Sequence, residues 1–171
     1  MRFLSNAGID LAERIRVLIV DDDEGIRASL AAVLKKKDYD VDTAKNGKEA
    51  IQKCRKNFYN VLLVDIKLPD MEGVELLKRV PDTVPKMRKI IVTGYPTLNN
   101  AVQAVNLGAD AYVIKPFDVD NLLLKINEQV SKQKEEKEYS EDKVKEFVEA
   151  RAKSFEKTLE EKKKKASQGK N

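Results

Sequence analysis

Four short apolar runs, at residues 17–20, 61–64, 90–92 and 111–114, punctuate a chain that is otherwise mixed in polarity. Each is nearly continuous rather than alternating, the pattern of strands buried on both faces of a parallel sheet. A weaker edge strand fits 41–44. Between the runs, apolar residues recur at helical spacing. Ile26, Leu30, Val33 and Leu34 share one face, and Val119, Leu122, Leu123, Ile126 and Val130 share another. Leu98, Ala101, Val102 and Val105 form a third stripe, stopped by Gly108 as a left-handed cap. Asn46 and Glu49 suit a capping box opening the helix that carries Cys54. Strand and helix thus alternate five times through about residue 131. That pattern predicts a doubly wound α/β domain, because parallel strands need right-handed helical crossovers.

From Ser131 the pattern changes. The sequence becomes rich in Lys and Glu, is interrupted at Tyr139 and Ser140, and then repeats Val144, Phe147, Val148, Phe155 and Leu159 at helical intervals. The spacing predicts a separate helix over 140–164 and a frayed KKKKASQGKN end. This segment is too short for a second domain, and nothing in it resembles a helix-turn-helix. The expected organisation is an N-terminal extension (1–14), an α/β domain (15–133) and a charged helical tail (134–171).

Composition narrows the chemistry. The 171 residues are 42% hydrophobic, enough for a core, and 36% charged, with a net charge of +4. Bases and acids are interleaved, which disfavours nucleic acid as a partner. Cys54 is the single cysteine, so no intrachain disulfide forms, as suits a reducing compartment. No apolar run approaches the roughly 20 residues needed to span a bilayer. Ser5, Asn6 and Asp10 break up the N-terminus as a signal peptide, so a soluble cytoplasmic protein is expected. The chain contains no histidine. That excludes a Ser-His-Asp triad, a Cys-His pair, histidine-ligated zinc and a phosphohistidine donor role.

The residues closing each apolar run carry the chemistry. The first ends in Asp21, Asp22 and Asp23, the run through Val64 ends at Asp65, the next at Thr93, and the last at Lys115 and Pro116. In an open parallel sheet the C-terminal strand ends line one edge, where ligands bind. Clustered carboxylates must share a proton or a cation. An all-oxygen site with open positions suits Mg²⁺, which favours phosphate as a co-ligand. A carboxylate is also a nucleophile toward phosphorus, while a lysine and a threonine hydroxyl can meet the phosphoryl oxygens. The combination points to phosphoryl transfer onto an aspartate.

The stretches VLIVDDDEGIR, VLLVDIKLPDMEG, IIVTGY and AYVIKPF resemble the four signature segments of response-regulator receiver domains, in order and over residues 15 to 133. The resemblance implies a flavodoxin-like five-stranded parallel sheet of order 2-1-3-4-5, here with an added C-terminal helix. It implies Asp65 as phosphoacceptor. Asp22, Asp65 and the backbone carbonyl of Lys67 would bind Mg²⁺ directly, and Asp21 through water. Thr93 and Lys115 would contact the phosphoryl group, and Tyr112 would be the aromatic that turns inward as Thr93 moves. It further implies a cis Lys115–Pro116 peptide, and places Lys67 and Tyr95 beside the path of the hydrolytic water. Where receivers often carry glycine before the second strand this chain has Asp38, which tolerates left-handed backbone.

Plainer readings stand beside these. Asp21 to Asp23 could cap the first helix; Asp65 could be a loop polar residue, Lys115 a solvated side chain, Tyr112 a core aromatic, and Tyr95 a ring in solvent. Cys54 reads as a small apolar residue on a helix face. The expected partners are a histidine kinase or phosphotransfer protein and a downstream protein. Binding of the latter would be switched through the face built from 98–107, 111–114 and the helix after Pro116. That face or the tail helix could also form a homodimer. The alternatives are an unphosphorylated scaffold and a DNA-binding regulator using the run Lys162 to Lys165.

Overall fold

The computed structural model describes residues 14–168, with side chains except at 159 and 161–168. The extension 1–14 therefore lies, but for Arg14, outside the described residues. Elements follow in the order β1 (Arg16–Val20), α1 (Glu24–Lys36), β2 (Asp40–Ala44), α2 (Gly47–Lys56), β3 (Val61–Val64), α3 (Gly73–Arg79), β4 (Arg88–Thr93), α4 (Leu98–Asn106), β5 (Ala111–Ile114) and α5 (Val119–Gln168). The five strands form one parallel sheet in the order β2-β1-β3-β4-β5, the flavodoxin-like arrangement. The chain divides into two compact units, one through Gln133 and one from Lys134.

The continuous apolar runs arise because both sheet faces are covered. Successive residues of a strand point to opposite sides. Leu18, Val20, Leu62, Val64 and Ile91 pack on one face with Ala50 and Cys54 of α2, Val74, Leu76 and Leu77 of α3, and Ala104 of α4. Val17, Ile19, Val61, Leu63, Ile90, Val92 and Val113 pack on the other with Leu30, Ala31 and Leu34 of α1 and Leu122, Ile126 and Val130 of α5.

Local backbone features follow the sequence. Asp38 sits at φ 64° and Gly108 at φ 85°, each turning the chain out of a helix, and the Lys115–Pro116 peptide is cis. Asn46 accepts from the Glu49 amide, while the Glu49 carboxylate reaches the Lys45 amide and not that of Asn46. The short α3 is the helix with least signal in the sequence.

The tail departs from expectation. Tyr139 and Ser140 do not interrupt it: α5 runs unbroken from Val119 to Gln168, through most of the end expected to fray. Neither proline nor glycine occurs in that span. Lys, Glu and Ala favour helix, and a Tyr or Ser costs only about 0.5 kcal/mol relative to Ala. Nor is the tail stripe buried. Val144, Phe147, Val148 and Phe155 are all exposed, and the Leu159 side chain lies outside the described residues. Local pairs such as Lys137–Glu141 and Lys143–Glu146 decorate this part of the helix.

Within the first unit, α5 is anchored at the opposite end of the sheet from the strand-end acids. The buried Gln133 amide donates to the Lys86 carbonyl at 2.6 Å, and its oxygen accepts from the Asn60 side chain at 3.0 Å.

At the acid-bearing edge, Gly73 opens α3 directly against the end of β3. Its amide donates to the Ile66 carbonyl at 2.6 Å, and a Cβ there would overlap the carbonyl oxygen and carbon of Asp65, which are backbone atoms with little room to yield. Gly73→Ala is expected to lower stability by about 1–3 kcal/mol through this overpacking. Urea denaturation measures it, and an unchanged midpoint would mean that the loop gives way freely.

Candidate functional site

The sheet register delivers the polar residues to one edge. The ladder continues past the strands: the Asp21 amide donates to Ala44, that of Asp65 to Val20, and that of Lys115 to Thr93. Backbone hydrogen bonding thus fixes all three positions before any side chain interacts. Carboxylate oxygens of Asp21, Asp22 and Asp65 all lie within 4.8 Å of one another, a group able to hold a metal ion. Asp21 and Asp65 are buried and Asp22 is exposed.

Lys115 holds this cluster together. Its ammonium donates to Asp21 Oδ2 at 2.6 Å and to Asp65 Oδ2 at 2.8 Å. Burial opposes its charge, but the two carboxylates outweigh that and raise its pKa above the ordinary lysine value. The other Asp65 oxygen accepts from the Lys67 amide at 3.2 Å, and Asp21 Oδ1 accepts from the Asp23 amide at 2.9 Å. Asp23 does what the plainer reading expected of all three acids: its carboxylate accepts from the Ile26 amide and caps α1.

Thr93 is fully buried at the end of β4, and its hydroxyl oxygen accepts from the Tyr95 amide at 3.1 Å. Tyr95 itself is exposed, and the Lys67 ammonium lies 3.5 Å from its ring centroid. The two loops flanking Asp65 are thereby linked across the crevice. Tyr112 faces inward from β5 and packs against the core beneath α4. Its hydroxyl is buried without a hydrogen-bond partner among the described residues. Cys54 is an inert core residue, its thiol pushed up to about 11 chiefly by burial.

Three contributors escaped the sequence reading. Arg27 donates to the backbone carbonyls of both Asp21 and Asp22, at 2.7 and 2.9 Å, and so fixes the acidic turn from one helical turn away. Asp70 accepts from the amides of Gly47 and Lys48, tying the loop after β3 to the start of α2. Desolvation opposes its ionisation, but those amides prevail and lower its pKa. Gly73 is the third. Arg27 closes the segment VLIVDDDEGIR, and Asp70 and Gly73 lie inside VLLVDIKLPDMEG, so the presence of all three was visible although their contacts were not.

Burial first, and then the Asp65 charge, raise the Tyr112 pKa. A raised folded pKa means stability present in full below the unfolded value, about 10, and lost as pH rises through the folded value. Tyr112→Phe removes both this term and a buried hydroxyl with no partner. It is expected to be at least as stable as the parent at pH 7, and to lose less stability between pH 9 and 11. Chemical denaturation across that range checks both; an equal alkaline loss would remove Tyr112 as its source.

Comparison with known proteins agrees with the geometry. The response regulator receiver domain family matches residues 17–127. The structure is similar to that of a CheY-like response regulator receiver domain protein from Methanospirillum hungatei JF-1, at 46% identity and TM-score 0.69, covering 72% of this chain and 98% of that one. It is also similar to a Burkholderia pseudomallei response regulator whose structure holds a phosphorylated aspartic acid, a calcium ion and citrate. There the identity is 32% and the TM-score 0.63, over 71% of this chain and 72% of that one. Sporulation initiation phosphotransferase F of Bacillus subtilis is 38% identical over 107 residues, 63% of this chain and 86% of that protein. Against several curated transcriptional regulators the chain spans only about a quarter of their length. No helix among the described residues is long and apolar enough to cross a membrane. With a β2-β1-β3-β4-β5 sheet, an acidic cluster at its C-terminal edge and a family match over most of the α/β unit, the chain belongs to the response regulator receiver domain family, the phosphoacceptors of two-component signalling rather than classical enzymes.

Proposed function

We propose that Asp65 accepts a phosphoryl group from a phosphohistidine of a histidine kinase or phosphotransfer protein. The observation that carries this reading is the Lys115 ammonium lying on both Asp21 and Asp65, beside the exposed Asp22. In the transfer an Asp65 oxygen attacks phosphorus, the phosphorus–nitrogen bond of the donor breaks, and the electron pair leaves with the imidazole. The Lys67 amide holds the Asp65 carboxylate in a fixed orientation for that attack. Lys115, already paired with Asp65, transfers one of its N–H donors to a phosphoryl oxygen, while Asp21 keeps it in place. The Thr93 hydroxyl accepts from the Tyr95 amide and keeps its own proton free to donate to the same group. The phosphorylated aspartic acid of the Burkholderia pseudomallei relative supports this assignment.

The donor set also fits Mg²⁺. Three carboxylates within 4.8 Å form an all-oxygen cluster with one exposed member, and Asp21, Asp22, Asp65 and the Lys67 carbonyl would hold the ion. When bound, magnesium supplies positive charge that offsets the phosphoryl oxygens.

Phosphorylation acts as a population shift between arrangements of Thr93 and Tyr112. Both lie on the strands beneath α4, whose Leu98, Val102 and Val105 are exposed, as are Ile114 of β5 and Leu124 of α5. This face binds the downstream protein.

Incubation with acetyl phosphate and Mg²⁺ is expected to give a single phosphoryl adduct by intact mass, lost in Asp65→Asn and without divalent ion. An adduct that survives Asp65→Asn would reassign the acceptor. The Lys67–Tyr95 pair covers the approach of water to Asp65, and removing it with Tyr95→Ala forfeits about 1 kcal/mol of cation–π contact. The phosphorylated state is then expected to decay about fivefold faster. Timed loss of the adduct measures this, and an unchanged lifetime removes the shield.

A further inference from the structure

The distal part of α5 presents an apolar face that no described residue covers. Val144, Phe147, Val148 and Phe155 are 58–66% exposed, and Leu159 comes next at the same helical spacing. Large apolar side chains gathered on one stripe of a lone helix mark a surface that binds something. Val144 and Phe155 are separated by 11 residues, as are Val148 and Leu159. That interval is close to three helical turns, so the stripe stays nearly parallel to the helix axis.

The charges are sorted along the same segment. Residues 134–149 carry seven acids and four bases, whereas residues 150–171 carry three acids and eight bases. The helix dipole does not account for this, because its influence is confined to the first and last turns. The acidic block begins about four turns inside α5.

The order of residues on the face is largely reversible, Phe147, which is equidistant with Glu156, being the exception. Counted outward from the peptide between Arg151 and Ala152, Val148 and Phe155 are equidistant. So are Val144 and Leu159, Glu141 and Lys162, and Glu138 and Lys165.

We propose that this segment pairs with the same segment of a second copy of the chain, as an antiparallel two-helix pair centred at Arg151 and Ala152. Reversal of one helix sets valine against the larger Phe or Leu, and glutamate against lysine at both ends. At the centre, each arginine meets a small alanine rather than a second arginine. A parallel pair would set the acidic block on its own copy and the basic block likewise. The paired region, from Glu138 to Lys165, is about 40 Å long. The proposal is independent of the phosphoacceptor assignment, since no residue of the acidic cluster takes part.

Sedimentation equilibrium of the full chain tests association, and thiol cross-linking tests orientation. The dimer dissociation constant is expected to rise about tenfold or more in Phe155→Glu, at an exposed position that leaves the receiver fold unchanged by circular dichroism. Higher salt is expected to weaken the dimer as well. With buried Cys54 left in place, Glu141→Cys is expected to cross-link to Lys162→Cys in mixtures and not to itself. A monomer at every concentration, a dimer indifferent to Phe155→Glu and Val148→Glu, or self-cross-linking of Glu141→Cys would overturn the proposal. Co-sedimentation of a monomeric chain with anionic vesicles, lost in Phe155→Glu, would overturn it in favour of a lipid surface.

Discussion

Three carboxylates within 4.8 Å of one another repel, and most of this fold is arranged so that they are held there regardless. In water such groups would separate or take up protons. Here two of them are extensions of a sheet ladder and cannot move without breaking backbone hydrogen bonds to Ala44 and Val20. The compensating charge is equally constrained, because Lys115 comes directly after β5 and its own amide is paired with Thr93. The repulsion is thus contained by backbone geometry and offset by one ammonium bonded to Asp21 and Asp65. The exposed Asp22 gives the cluster its side toward solvent.

The surrounding elements keep that edge in shape. Arg27 reaches back from α1 to the two carbonyls of the acidic turn, so a positive charge sits behind the acids without neutralising their carboxylates. Asp70 accepts from the amides that open α2, which ties the loop after Asp65 to that helix. Gly73 lets α3 begin against the Asp65 backbone, a spot with no room for a side chain. Each of these is a small interaction, and each fixes the backbone of a segment that carries or adjoins the cluster.

The same two strands that supply Thr93 and Lys115 connect the edge to the outer face. Tyr112 lies on β5 between the core and α4, its hydroxyl buried without a partner. A buried hydroxyl in that state is held less firmly than one that is bonded. On α4, Leu98, Val102 and Val105 are exposed apolar residues. Beyond Gln133, α5 continues with a different logic. Its apolar stripe and sorted charges concern a surface to be covered from outside, and they owe nothing to the acidic edge.

The alternation of buried runs with helical stripes was enough to predict five parallel strands and their layers, because strands covered on both faces are held to apolar composition. Only the edge strand β2, with Asp40, Asp42 and Thr43, carried a weak signal. The acids, Thr93 and Lys115 were legible for a related reason: each directly succeeds or ends a strand, and parallel strands align their ends. What the sequence could not reveal were contacts between residues distant along the chain. Lys115 bonds to Asp21 from 94 residues away, and Asp70 caps a helix 22 residues or more earlier. The orphaned Tyr112 hydroxyl and the Lys67–Tyr95 contact also depend on how loops approach one another. At the other end of the chain, the expected break at Tyr139 and Ser140 rested on composition alone, and backbone energetics do not support it. Local pattern determined which elements form and what they carry. Only the packed structure decided which charge meets which, because that is set by distances between strand ends and loops that no one-dimensional spacing encodes.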